Sequence, residues 1–118
     1  MSEPRSDADC AASWCADDPW CGLTCAVDVL GHKWHPVVVH RLLARGPLGF
    51  GELADDVGAV TNKVLSETLA DLEAAGVVDR AVVDDRPVRV EYSLTDDGES
   101  LAPAIEALQD WGERYLDD

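Results

Sequence analysis

Between Thr61 and Leu94 the apolar residues change their period once, and that change restricts the fold more than any other feature of the chain. Leu65, Leu69 and Leu72 recur at helical spacing behind Thr61, a residue suited to cap a helix N-terminus. The same spacing leaves Asn62, Lys63, Ser66, Glu67 and Ala70 on the opposite face. Gly76 is the expected C-terminal stop, and Val77–Val83 follows as an apolar strand. Asp84-Asp85-Arg86-Pro87 has the composition of a turn. Val88, Val90, Tyr92 and Leu94 then alternate with Arg89, Glu91 and Ser93, the period-two pattern of a half-buried strand.

A polar-faced helix followed at once by a basic-tipped hairpin predicts an α+β winged helix-turn-helix, with the helix in a DNA major groove and the hairpin against the backbone or minor groove. The flanking segments fit that plan. A first helix is expected over Cys25–Leu30, ending at Gly31, and a second over about Trp34–Ala44, with Pro36 tolerated in its first turn. Val38, Val39 and Leu42 should face the core, and Arg45-Gly46-Pro47 should break the helix. Gly51–Val57 reads as the first helix of the helix-turn-helix, anchored by Phe50 and Leu53, with Gly58-Ala59-Val60 as the turn. Thr95 caps a final helix whose first turn is acidic, as the helix dipole favours. Leu101, Ile105, Leu108 and Leu116 form its apolar stripe, joined by Trp111, and Pro103 predicts a kink or an early break. Residues 1–20 read as an acidic, flexible tail carrying Cys and Trp, and residues 21–118 as a single folded domain.

The formal charge is -15, from 24 acidic residues against 9 Lys and Arg. Aspartate dominates the acids, and Lys33 and Lys63 are the only lysines. Such a balance ordinarily argues against a polyanionic partner. It also keeps a protein hydrated in molar salt, where self-repulsion is screened within about 3 Å. The second reading is favoured, that of a protein from a halophilic archaeon. Counterion release contributes little in molar salt, so DNA affinity there must lean on direct and water-mediated contacts. No apolar run reaches membrane length and no apolar signal core opens the chain, so a cytoplasmic location is expected. In a reducing compartment the four cysteines are expected as thiols or metal ligands rather than structural disulfides.

Several motifs in order carry a family resemblance: Cys25, Leu30-Gly31-His32-Lys33-Trp34, Gly46-Pro47, Phe50-Gly51-Glu52-Leu53 and Thr61-Asn62-Lys63-Val64-Leu65-Ser66. Leu69-Ala70-Asp71-Leu72-Glu73, Gly76-Val77-Val78, Val90-Glu91-Tyr92-Ser93-Leu94-Thr95 and Ser100-Leu101-Ala102-Pro103 continue it. From Cys25 to about Leu116 the chain resembles the HxlR family of winged-helix transcription regulators, related to the MarR group. The resemblance implies a homodimer, held by the N- and C-terminal helices, that binds an inverted repeat in double-stranded DNA. It implies DNA contacts from Thr61, Asn62, Lys63 and Ser66, and a basic wing at Arg86 and Arg89. His32 replaces a second glycine usual in the family, and Glu67 and Thr68 stand where glutamines are common. A carboxylate facing DNA accepts from cytosine N4 but repels phosphate. Asp84 and Asp85 likewise weaken the wing tip as a phosphate clamp.

The residue chemistry allows more than one reading of each candidate. Asn62 suits bidentate readout of adenine, Lys63 a guanine or a phosphate, and Ser66 either base type; the bland alternative is a solvated helix face. Arg86 and Arg89, nearest the turn, are assigned to phosphate positioning, and Arg80 to structural pairing with nearby acids. Some HxlR-type regulators sense oxidants or electrophiles at the position of Cys25. A thiolate is the reactive form and a helix N-terminus favours it, so Cys25 is the principal redox candidate. Cys10, Cys15 and Cys21 are redox candidates on an equal footing with passive packing. Metal binding is the rival use, and His32 and His35 could contribute. Intervals of four, five and three residues between the cysteines form no paired knuckle, however, and a histidine near a helix start is more often a capping or surface residue. Trp34 and Trp111 are expected in the core or at the dimer interface. No phosphate loop, nucleophile–base spacing or catalytic carboxylate pair is evident, so no enzyme and no cofactor are expected. The rivals to a thiol-controlled regulator are a regulator with passive cysteines and a winged helix that binds protein rather than DNA.

Overall fold

Six helices and three strands run through residues 20–85 and 87–117, the part of the chain described by a computed structural model. Helix α1 spans Cys21–Leu30, α2 His35–Arg45, and a short strand β1 Leu48–Gly49. Helices α3 (Phe50–Val57) and α4 (Asn62–Ala74) form the helix-turn-helix, and β2 (Val78–Asp85) and β3 (Val88–Leu94) form the hairpin. A single-turn α5, Asp96–Glu99, precedes the long α6, Ala102–Asp117. The expected tail lies, Trp20 excepted, outside the described residues, as do Arg86, Cys10, Cys15 and Trp14.

Local chemistry explains most boundaries. The Thr61 hydroxyl accepts from the Val64 amide at 3.2 Å, capping α4 as expected. At the other end, Val77 N–H donates to Leu72 C=O at 2.9 Å and Gly76 N–H to Glu73 C=O at 3.0 Å. That pair of bonds is a Schellman closure, and it holds Gly76 at φ 78°, a conformation that glycine adopts at least cost. The Glu52 carboxylate reaches back to the Gly49 amide at 2.8 Å and starts α3. Pro36 sits in the first turn of α2, where no amide is needed. Pro103 sits in the first turn of α6, so the expected break falls between α5 and α6 rather than inside the helix.

Two elements differ from the sequence reading. Helix α1 begins at Cys21, a full turn before the expected Cys25, and the Thr24 hydroxyl donates to the carbonyls of Trp20 and Cys21 inside its first turn. Strand β1 was not expected. Its two residues pair with Tyr92 and Glu91, giving the sheet order β1-β3-β2 and placing β3 in the middle.

The core is one cluster under the helix-turn-helix. Val38, Val39, Leu42, Leu48, Leu53, Leu65, Leu69, Leu72, Val77, Val78 and Ile105 are buried, and Phe50, Tyr92, Leu94 and Leu101 pack against them. The expected core faces of α2, α3 and α4 are therefore the observed ones. Gly98 seats α5 on the hairpin: a Cβ there would collide with the Val77 carbonyl oxygen and crowd Leu94.

The α6 stripe divides. Ile105 is buried and Leu101 packs on the core, whereas Leu108 and Trp111 are 56% and 59% exposed. Trp34 is half-buried and outside the core, with the Lys33 ammonium 5.0 Å from its ring centroid. No helix among the described residues is long and apolar enough to cross a membrane.

Candidate nucleic-acid interface

Helix α4 turns Leu65, Thr68, Leu69 and Leu72 into the core. Its opposite face, with Asn62, Lys63, Ser66, Glu67 and Ala70, stands exposed, as its apolar spacing predicts. Thr61 begins that face, although its hydroxyl is occupied by the cap. Thr68 is buried, so of the two residues standing where glutamines are common only Glu67 is exposed.

The exposed face is held in place from behind by α2. Asp56, on α3, accepts from Arg41 Nε at 2.6 Å through one oxygen and from Arg45 Nη1 at 2.8 Å through the other. The hydrogen bond from Arg41, aided by the charges of Arg41 and Arg45, holds the Asp56 carboxyl below the usual aspartate range against some desolvation. This clamp fixes α3, and with it the turn into α4, to the helix beneath. It was missed in the sequence because its partners lie 11 and 15 residues apart with no periodic signature.

The hairpin is exposed on both strands toward its turn. Arg89 is exposed on β3 opposite Asp84 in register, and Arg80 is exposed on β2 opposite Tyr92. The register shifts between Val82 and Asp84, which marks a bulge near the tip. Val82, Val83 and Val88 are exposed there as well, so the wing offers apolar contact beside its charges.

Cys25 is half-buried and is not part of a disulfide. It shares the inward face of α1 with Cys21 and Val29, each one turn from the next. Because α1 starts at Cys21, Cys25 lies inside the helix, and the expected help from the helix N-terminus fades within the first turn. Cys21 is disulfide-bonded, which departs from the expectation of four thiols or metal ligands. Among the described residues no three His, Cys, Asp or Glu side chains converge to hold a metal. His32 and His35 do lie together, with ring centroids 4.6 Å apart. His35, expected to cap or face solvent, is instead buried, with Nε2 at 3.0 Å from Asp71 Oδ2 on α4.

The model of the HxlR-like helix-turn-helix family matches residues 29–118. The chain belongs to the HxlR family. It is 41% identical over 92 residues to the HTH-type transcriptional regulator YvaP of Bacillus subtilis, covering 78% of this chain and 84% of that one. Its fold is similar to the redox regulator HypR in its reduced form, with a TM-score of 0.75 at 33% identity, covering 81% of this chain and 94% of that one. It is also similar to the reduced form of YodB from B. subtilis, with a TM-score of 0.69 at 31% identity, covering 83% and 93%. YodB is known in diamide-treated and quinone-bound forms too. This HxlR chain is thus a transcriptional regulator of the HxlR/MarR type on a winged helix.

Proposed function

We propose that this HxlR protein binds a specific inverted repeat in double-stranded DNA as a homodimer, and that thiol chemistry at Cys25 controls the binding. The observation that carries the DNA-binding reading is the division of α4, with Leu65, Leu69 and Leu72 buried while Asn62, Lys63 and Ser66 stand clear. Thr61, Asn62, Lys63 and Ser66 enter the major groove, and Arg86 and Arg89 hold the flanking backbone. In this assignment Asn62 and Lys63 supply base discrimination, and the arginines fix orientation.

Two apolar stripes support the dimer. Trp20, Leu23 and Val27 are exposed along one face at the start of the domain, and Leu108, Trp111 and Tyr115 along one face of α6. Both follow the three-then-four spacing of helices that pack on helices. Exposed apolar area of this extent marks an interaction surface.

The likeness to HypR and YodB supports the thiol reading, since the first is a redox regulator and the second is known with diamide and with a quinone. An oxidant or electrophile that modifies Cys25 adds covalent bulk on the inward face of α1. The helix then shifts against α2, and the spacing of the two recognition helices changes with it. Cys10 and Cys15 are the further candidates for that chemistry, whereas Cys21, being disulfide-bonded, takes part only through thiol–disulfide exchange. The acid composition supports a molar-salt working medium, and the likeness to transcriptional regulators supports a cytoplasmic location.

Fluorescence anisotropy with the chain's own upstream DNA in molar KCl tests this, first reduced and then oxidised with diamide. Tight binding that is lost on oxidation, and kept in Cys25→Ser, supports the proposal. Binding indifferent to oxidant leaves a regulator with passive cysteines. No binding, even after selection from random sequences, leaves the protein-interaction module.

A further inference from the structure

His35 is the first residue of α2, and it is only 6% exposed. Its Nε2 lies 3.0 Å from Asp71 Oδ2. A carboxylate accepts, so Nε2 carries the proton of this contact and Nδ1 needs a partner of its own. Nδ1 is buried with no hydrogen-bond partner among the described residues. A buried polar atom without a partner destabilises a fold, and such exceptions call for an explanation. An apolar side chain at 35 would fill the same space without that cost.

Asp71 has an unfavourable position too. It lies in the last turn of α4, where the helix dipole disfavours a negative charge, and that turn holds no basic residue of its own. Its side chain is 64% exposed, so the carboxylate could be hydrated instead of bonded to a ring. The two groups nevertheless meet. The contact joins the start of α2 to the C-terminal end of the recognition helix, while the Arg41–Asp56 clamp holds the other side of the helix-turn-helix.

We propose that His35 is a positioning residue for DNA readout: by holding Asp71 it sets the tilt of α4, and so the angle at which Asn62, Lys63 and Ser66 meet the bases. The inference rests on the DNA-binding reading above. It separates stability from specificity. Removing His35 relieves the orphaned Nδ1, so the fold gains or holds steady, while the recognition helix loses a restraint and discrimination falls.

The test uses the full chain, an operator selected from random sequences, and a random duplex of equal length. Dissociation constants for both and the melting temperature are measured for His35→Leu, His35→Gln and Asp71→Ala. His35→Leu should melt no lower than the wild type, yet lose about tenfold in the operator-to-random affinity ratio, the scale of a hydrogen bond to a charged group. His35→Gln places an amide N–H near the Nε2 position and should recover most of that ratio. Asp71→Ala, at an exposed site that leaves the fold intact, should show the same loss, and combining it with His35→Leu should add nothing further. An unchanged ratio in His35→Leu and Asp71→Ala overturns the proposal. So does a loss of affinity that merely follows a falling melting temperature. A wild-type protein that does not discriminate between the duplexes removes the DNA-binding reading, and this inference with it.

Discussion

Arg41 and Asp56 meet at 2.6 Å across the seam between α2 and α3, the closest ion pair among the described residues. The contact sits between the first helix of the helix-turn-helix and the scaffold beneath. Because the folded carboxyl titrates lower than in the unfolded chain, its contribution is complete above the ordinary aspartate value of about 3.9. The contribution drains as the pH falls through the depressed folded value. Melting curves at fixed ionic strength from pH 7 down to pH 1.5 should therefore show Asp56→Asn well below the wild type at neutrality. The gap should narrow as the pH drops beneath the ordinary aspartate value and close only below the depressed folded one. A gap that persists at the acid end would assign the loss to packing rather than charge.

On the exposed face of α4, Asn62→Ala and Lys63→Ala should behave differently. Loss of Asn62 should weaken binding at one base position, by about 1–3 kcal/mol for the matched base, and relax the preference there. Loss of Lys63 should do the same if it reads guanine, but should weaken all sequences alike if it holds a phosphate. Anisotropy titrations against an operator and its single-base variants separate these patterns.

The buried side of the same helix should answer in stability. Leu69 is 1% exposed and belongs to the central cluster. Leu69→Ala should cost about 2–5 kcal/mol in denaturant unfolding, as large-to-small changes in a packed core do. Ala70 is its exposed neighbour, and Ala70→Ser should stay within about 0.5 kcal/mol of the wild type.

Trp111 and Tyr115 stack at 5.0 Å with their rings 11° apart on the exposed stripe of α6. Trp111→Ala combined with Leu108→Asp should convert a dimer to monomer in sedimentation velocity at micromolar protein while leaving the far-ultraviolet spectrum unchanged. A dimer that survives both changes would move the interface elsewhere.

Much of the fold was legible because it is periodic. Leu65, Leu69 and Leu72 recur at helical spacing, and Val88 to Leu94 alternate, so α4 and β3 followed from local pattern alone. Thr61 and Gly76 marked ends through chemistry that acts over three or four residues. What was not legible depends on distant partners. Leu48-Gly49 is too short to show a period, and it is a strand only because Tyr92 and Glu91 lie beside it. His35 stood beside a helix start and looked like a surface residue, since the carboxylate that engages it is 36 positions away. The first turn of α1 was hidden by Gly22, which weakens a helical signal without preventing a helix. The candidate DNA face was visible as a pattern of polar residues, but the supports behind it, Asp56 and Asp71, were indistinguishable from the many other acids.

Gly98 has a mechanical consequence. Its missing side chain lets the backbone of α5 lie directly against Val77, where β2 begins, so the turn leading into the final helix is seated on the sheet. The heading of α6 is thereby geared to the root of the wing rather than left to a linker. The approach to α6 and the root of the wing thus meet at Gly98 with only a hydrogen where a side chain would stand.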